Sequence, residues 1–176
     1  MQKQVKILDK AEVNIRGKTI AVKGPIGELS RSFDDPRFED IKMQVSGDEF
    51  TVSCQSEARK MNAMVGTIAA HVRNMVSGAT SGYTYELKIV FKHFPLNVSQ
   101  KGSIIEIKNF LGEKSVRTAK IVGKCDVKID KDTIIVKGAS KEDVGQTAAN
   151  IELACKLTGR DRRIFQDGIF IVSKAR

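Results

Sequence analysis

The sequence predicts an α+β fold, a tandem duplication of two similar units. Each unit has small, mainly antiparallel sheets and one long helix around a single core. Three observations predict this: an internal repeat, one apolar helical stripe in each half, and alternating runs beside both stripes. The chain has 176 residues, of which 41% are hydrophobic and 29% charged. That length suits one ordinary domain or two small ones, and the composition is that of a globular protein.

A seven-residue pattern occurs twice, 85 residues apart. Residues 22–28 (VKGPIGE) and 107–113 (IKNFLGE) share the pattern aliphatic-Lys-x-x-aliphatic-Gly-Glu. Around it, residues 13–15 resemble 96–98, and residues 50–52 resemble 134–136. The boundary falls near residues 81–95, and we divide the chain into a first unit of residues 1–82 and a second unit of residues 83–176. Residues 83–91 are predicted to form the last strand of the first unit or a strand linking the two.

Each half contains one stretch with the apolar spacing of an amphipathic helix. The same spacings of 4, 3 and 4 occur in both halves, at Met61, Val65, Ile68 and Val72 and again at Val144, Ala148, Ile151 and Cys155. Ser56 and Ser140 precede these helices and are predicted to accept hydrogen bonds from the first turn. Gly78 and Gly159 are predicted to end them in the left-handed conformation.

Short alternating runs predict the strands. They lie at residues 3–7, 19–22, 42–45, 103–107 and 126–129. Residues 24–27 (GPIG) and the pair Gly47-Asp48 are typical of hairpin turns.

The positive charge is concentrated in the second half. The net charge is +9, of which residues 1–88 contribute +2 and residues 89–176 contribute +7. Two basic stretches stand out, residues 108–124 and 156–163. Such a surface favours a polyanion such as nucleic acid, although a solubilising face would have the same composition. With 8 Phe, 2 Tyr and no Trp, phosphate contact is expected to dominate over base stacking.

Residues 160–163 place three Arg within four positions, directly after the second predicted helix. Their guanidinium groups could donate in pairs to phosphate oxygens. The alternative is that they neutralise the negative end of the helix. One Arg would suffice for that purpose, so we favour phosphate binding.

Nothing in the sequence resembles an active site. The two His, His71 and His93, have no recognisable nucleophile and acid around them; Cys54 near His71 is conceivable, but no motif supports it. The three Cys fit neither a disulfide framework nor a zinc site, and no glycine-rich phosphate loop occurs. No cofactor is expected. No apolar run could span a membrane and no signal peptide is seen at the start, so we expect a cytoplasmic protein without a membrane partner.

The chain resembles the ribosomal protein L-six family of the large subunit, called L-nine in eukaryotes. The resemblance covers essentially the whole sequence, and its tail is similar to the archaeal and eukaryotic branch. The passages that carry it, in family order, are residues 22–29, 73–78, 93–96, 109–114, 141–152 and 163–169. Two mild departures are Leu153, where Gln is expected, and Phe170, where Tyr is expected.

This resemblance implies a duplicated fold that binds large-subunit rRNA near the sarcin–ricin loop and the stalk base, where translation GTPases dock. It implies a non-catalytic structural role in the ribosome, mainly through the second unit, beside other ribosomal proteins. We expect these phosphate contacts: Lys108, Lys114, Arg117, Lys120, Lys156, Arg160, Arg162 and Arg163. Gly112 would let its hairpin approach RNA closely. Arg59, Lys60 and His93 are weaker candidates.

Two other functions remain open at this point. A protein–protein adaptor could accept a partner strand at an exposed sheet edge, and its binding would survive moderate salt and nuclease. An enzyme would need an acid–base cluster that the sequence lacks, and would lose turnover on replacement of His71 or His93.

Overall fold

The computed structural model of the chain forms two compact units, residues 1–82 and 83–176. It describes residues 2–7, 11–38, 40–47, 49–56, 58–91, 94–161 and 163–174. Each unit combines small antiparallel sheets with one helix, which confirms the predicted α+β class.

The described part of the first unit contains two three-stranded antiparallel sheets and a long helix, α1 (Arg59–Thr80). The strands in chain order are β1 (Gln2–Lys6), β2 (Glu12–Arg16), β3 (Thr19–Lys23), β4 (Glu28–Ser32), β5 (Ile41–Ser46) and β6 (Glu49–Cys54). They pair in the orders β1-β6-β5 and β2-β3-β4. Of the predicted stripe on α1, Val65, Ile68 and Val72 are buried and Met61 packs at the edge of the core.

The described part of the second unit contains a four-stranded and a three-stranded antiparallel sheet and the helix α2 (Lys141–Ala154). The strands are β7 (Tyr83–Val90), β8 (Asn97–Lys101), β9 (Ile104–Lys108), β10 (Arg117–Lys120), β11 (Asp126–Asp130), β12 (Thr133–Gly138) and β13 (Gly168–Ser173). They pair in the orders β11-β12-β7-β13 and β10-β9-β8. Of the two alternatives for residues 83–91, the last strand of the first unit is wrong, because β7 pairs with β12 and β13 within the second unit's four-stranded sheet.

Each unit has its own apolar core. In the first unit, α1 packs on strand residues that include Ile20, Val22 and Phe50. In the second, the core includes Phe110 and Ile151, both fully buried. Burying one such side chain contributes about 1.5–3 kcal/mol, so these clusters account for the cohesion of each unit.

The helix ends follow the prediction only in part. Ser140 caps α2 by accepting from the Asp143 amide at 3.2 Å, as predicted. The Ser56 prediction is wrong, because α1 begins at Arg59 and the Ser56 hydroxyl accepts from the Ala58 amide outside the helix. Gly78 lies inside α1, and the left-handed glycine after it is Gly82, with φ of 71°. The helix α2 ends at Ala154, well before Gly159.

The first copy of the repeated pattern forms the predicted hairpin turn between β3 and β4. The Gly24 amide donates to the Gly27 carbonyl at 3.1 Å, and the Ile26 amide donates to the Ala79 carbonyl at 3.0 Å. The turn therefore lies directly against the C-terminal end of α1. A Cβ atom on Gly24 would come within 2.5 Å of the Ala79 carbonyl oxygen, which is why this position requires glycine.

Candidate nucleic-acid interface

The second copy of the repeated pattern forms a tight turn, Phe110–Gly112, between β9 and β10. Phe110 is fully buried and anchors this turn in the core. Asn109, Leu111 and Gly112 have φ values of 60°, 51° and 75°. Glycine adopts such a value without strain, so the conformation by itself accounts for Gly112. The Asn109 side-chain amide donates to the Pro95 carbonyl at 3.0 Å, which ties the turn to the residues before β8.

Arg117, the first residue of β10, lies among protein groups on several sides. Its Nε and Nη2 atoms donate to the two carboxylate oxygens of Glu113 at 2.9 and 2.7 Å. Its Nη1 donates to the carbonyls of Ala154 at 2.9 Å and Lys156 at 3.2 Å. The guanidinium carbon lies 4.2 Å from the centre of the Phe110 ring. Arg117 therefore joins the β9–β10 connection to the residues that follow α2.

The electrostatics of this pair follow from its hydrogen bonds. The bonds from Arg117 hold the pKa of the Glu113 carboxyl below its usual range, against the opposing effect of partial desolvation. The positive charges of Arg117 and Arg160 lower it further. The Glu113 hydrogen bonds likewise raise the pKa of Arg117. At neutral pH both groups are charged.

The predicted lysine contacts on this sheet are exposed. Lys108 ends β9 and Lys120 ends β10, while Lys114 lies in the connection between these strands. Lys101 and Lys108 share the Glu106 carboxylate at 2.9 and 3.5 Å, and these bonds lower its pKa. One carboxylate is paired with two ammonium groups, so the group formed by Lys101, Glu106 and Lys108 keeps a net positive charge.

The residues after α2 supply the other predicted cations. Lys156 is exposed. The Arg160 guanidinium lies 4.9 Å from the centre of the Phe165 ring. Arg163, 92% exposed, pairs with Asp161 at 3.4 Å. Arg162 lies outside the described residues.

The structure thus brings some predicted residues together and not others. Arg117 contacts the backbone of Lys156, and Arg160 is close enough to Glu113 to influence its titration. The Asn150 side chain donates to the Lys120 carbonyl at 3.0 Å, which fixes β10 beside α2. Lys108 lies at the other end of the β9–β10 ladder from Lys120. Of the weaker candidates, Arg59 and Lys60 are exposed in the first turn of α1, and His93 lies outside the described residues.

The groups considered for catalysis have other surroundings. The His71 Nδ1 atom lies 3.1 Å from the Arg31 guanidinium, and its ring tilts against Phe33. Cys54 is buried. Burial raises the pKa of the Cys155 thiol to about 11, so it is protonated at neutral pH. Among the described residues, no group of three or more His, Cys, Asp or Glu could hold a metal ion. Within the same residues, no helix has the length and apolarity to cross a membrane.

Comparison with known proteins decides the family. The sequence model of the family Ribosomal protein L6 matches residues 9–82 and again residues 94–168. The chain belongs to the ribosomal protein L6 family. The two matched segments correspond to the two units, which confirms the tandem duplication. As a member of this family, the chain is a structural ribosomal protein and not an enzyme.

Relatives match nearly the full length. The large ribosomal subunit protein uL6 of Methanocella arvoryzae is 42% identical over 174 residues, which cover 98% of this chain and 97% of the relative. The uL6 proteins of Methanothrix thermoacetophila and Desulfurococcus amylolyticus are each 45% identical; the matches cover 98% and 97% of this chain and 96% and 93% of the relatives. All three are archaeal proteins, in agreement with the predicted branch of this family.

Sequence reasoning did not find two residues that contact the Arg117 guanidinium. Glu113 stood out only as the single acid of a basic stretch, and Phe110 only as part of the repeated pattern. Both lie within seven positions of Arg117. A separation of four residues signals an ion pair only on a helix, and here the intervening chain is a turn and a strand. The sequence therefore carried no local signal for this contact.

Proposed function

We propose that this L6-family chain is a structural constituent of the large ribosomal subunit and binds large-subunit rRNA mainly through its second unit, residues 83–176. The observation that carries the proposal is the set of exposed cations on β9, β10 and the segment after α2. These segments are tied together by Arg117 and Asn150. The proposed phosphate ligands are Lys108, Lys114, Lys120, Lys156, Arg160, Arg162 and Arg163.

Shape and phosphate recognition is the mode of binding that fits these side chains. Double-stranded RNA offers proteins mainly its backbone and its shallow minor groove, so a rigid surface of cations recognises its shape. Phe110 is buried and Arg160 covers one aromatic ring, Phe165. Neutralising about six phosphates gives a slope of about −5 for the logarithm of the association constant against the logarithm of salt concentration.

The site in the ribosome is proposed from the family resemblance. It would lie near the sarcin–ricin loop and the stalk base, where translation GTPases dock, with neighbouring ribosomal proteins as further partners. The chain would act in the cytoplasm as part of this ribonucleoprotein and support the docking region during translation.

Sedimentation of cell extract on a sucrose gradient tests the proposal. We expect the protein to move with the large subunit and to be released by high salt or RNase. A protein that stays at the top of the gradient contradicts the ribosomal assignment. Co-migration that resists both salt and RNase would instead support a protein–protein adaptor.

A further inference from the structure

Arg117 differs from the other predicted phosphate ligands in how its donors are used. Four hydrogen bonds of 2.7–3.2 Å join its guanidinium to Glu113, Ala154 and Lys156. One ring face of Phe110 covers it, and only 25% of its side chain is exposed. A phosphate oxygen could approach this guanidinium in the usual bidentate way only by displacing the Glu113 carboxylate.

We propose that Arg117 is a positioning residue: it holds the β9–β10 connection and the segment after α2 as one RNA-binding surface, and does not itself bind phosphate. This inference rests on the proposed function, because the surface that it positions is the proposed rRNA interface. Glu113 is part of the same positioning contact, because its carboxylate fixes the orientation of the Arg117 guanidinium.

The first unit shows what this contact replaces. There the turn of the repeated pattern reaches its helix directly, since the Ile26 amide donates to Ala79 in the last turn of α1. In the second unit, the carbonyl of Ala154, the last residue of α2, accepts instead from the side chain of Arg117. The last carbonyls of a helix need donors and attract positive charge. The guanidinium supplies both and links two basic segments that are far apart in sequence.

Removing the charge of Glu113 tests the proposal, because the change in RNA affinity should have opposite directions under the two possible roles of this residue. An acid on a surface that binds a polyanion repels it, so removing its charge normally strengthens binding. If Glu113 positions Arg117, removing its charge loosens the surface and weakens binding. The two accounts therefore predict opposite effects for the same substitution.

The experiment measures binding of purified large-subunit rRNA to the full chain over a series of salt concentrations. We expect Glu113→Gln to weaken binding about fivefold, the effect of losing about one hydrogen bond of ordinary net strength. The matched control is Asp126→Asn, which removes an exposed acid on β11 of the same unit. We expect it to leave binding unchanged or slightly tighter. If Glu113→Gln leaves binding unchanged or tightens it, as the control does, the inference is wrong.

Arg117 itself is tested by Arg117→Lys and Arg117→Gln. We expect both variants to weaken RNA binding to a similar extent, because lysine keeps the charge but, like glutamine, lacks the bidentate geometry of arginine. The salt slope should stay unchanged in both, because Arg117 does not itself bind phosphate in this proposal. A direct phosphate ligand behaves differently: glutamine flattens the slope by about 0.7–0.9 while lysine preserves it. That second result would overturn the inference.

Hydrogen exchange of the free variants provides a readout that does not involve RNA. We expect Arg117→Lys and Arg117→Gln to speed amide exchange in residues 154–160. Exchange in β7 should stay unchanged, and that result would also show that the unit remains folded. Unchanged exchange in residues 154–160 contradicts the inference. A wild-type chain that shows no RNA binding refutes the proposed function instead, whatever the exchange experiment gives.

Discussion

Replacing Gly24 by alanine tests the packing of the repeated turn on the first unit's helix. An added Cβ would lie 2.5 Å from the Ala79 carbonyl oxygen and 2.8 Å from both its carbonyl carbon and its Cβ. These atoms belong to the helix itself and cannot rotate away. The turn must therefore move, which breaks the 3.0 Å hydrogen bond from Ile26 to Ala79.

The expected cost follows from these contacts. Overpacking costs about 1–3 kcal/mol, and the lost hydrogen bond costs about 1 kcal/mol more. Alanine returns about 0.4–1 kcal/mol because it restricts the unfolded chain. We therefore expect Gly24→Ala to lower the free energy of unfolding of the first unit by about 1–3.5 kcal/mol.

Gly66→Ala is the matched control, because it is the same chemical change within the same unit. Gly66 lies inside α1, and its added Cβ would meet only the flexible end of Lys3, at 3.1 Å. Alanine is a better helix former than glycine, so the free energy of unfolding of this variant should rise by about 0.5–1 kcal/mol.

Native-state hydrogen exchange of the α1 amides measures both variants. We expect exchange through opening of the unit to be roughly five- to several-hundredfold faster in Gly24→Ala and slower in Gly66→Ala. Equal exchange in Gly24→Ala and wild type would refute the packing argument. So would equal destabilisation by the two substitutions, because the effect would then not depend on the contact with Ala79.

Three further predictions concern the second unit. Thr147 is fully buried, and its hydroxyl accepts a hydrogen bond from the Val122 amide at 3.0 Å. Thr147→Val should therefore lower the free energy of unfolding, measured in urea, by about 1–3 kcal/mol, and Thr147→Ser should lower it less. Ser140→Ala removes the α2 cap on Asp143 and should cost about 1 kcal/mol in the same assay. The pKa of Cys155 is raised from 9.0 to about 11, so at pH 8 its thiolate should be roughly a hundredfold scarcer than in the unfolded chain. Iodoacetamide should therefore modify Cys155 quickly only in denaturant, and equally fast labelling of the native protein would contradict its burial.

The predictable part of the fold is the part with local periodicity. The stripe of Val65, Ile68 and Val72 identified α1 because burial of one helix face imposes a 3.6-residue period on the sequence. The ends of α1 cannot be predicted from Ser56 and Gly78, because Ser and Gly are common both at caps and within other local structures. The position of β7 could not be read from its own residues, because its partners β12 and β13 lie far along the chain.

The candidate site was predictable in composition but not in arrangement. Exposed lysines such as Lys114 and Lys120 were found because charge and its clustering are properties of the sequence. The surroundings of Arg117 were not found, since its carbonyl partners are 37 and 39 residues away. Such a contact depends on how β10 packs beside α2, which no local pattern encodes.

The salt dependence of rRNA binding by two charge-matched variants tests the central claim most directly. Each variant replaces four exposed lysines by glutamine. The second-unit set is Lys108, Lys114, Lys120 and Lys156, and the first-unit set is Lys3, Lys6, Lys23 and Lys42. We expect a wild-type slope near −5, a slope of about −2 for the second-unit set, and an unchanged slope for the first-unit set. A wild-type slope shallower than about −2, or equal flattening by both sets, would contradict rRNA binding through phosphate contacts of the second unit.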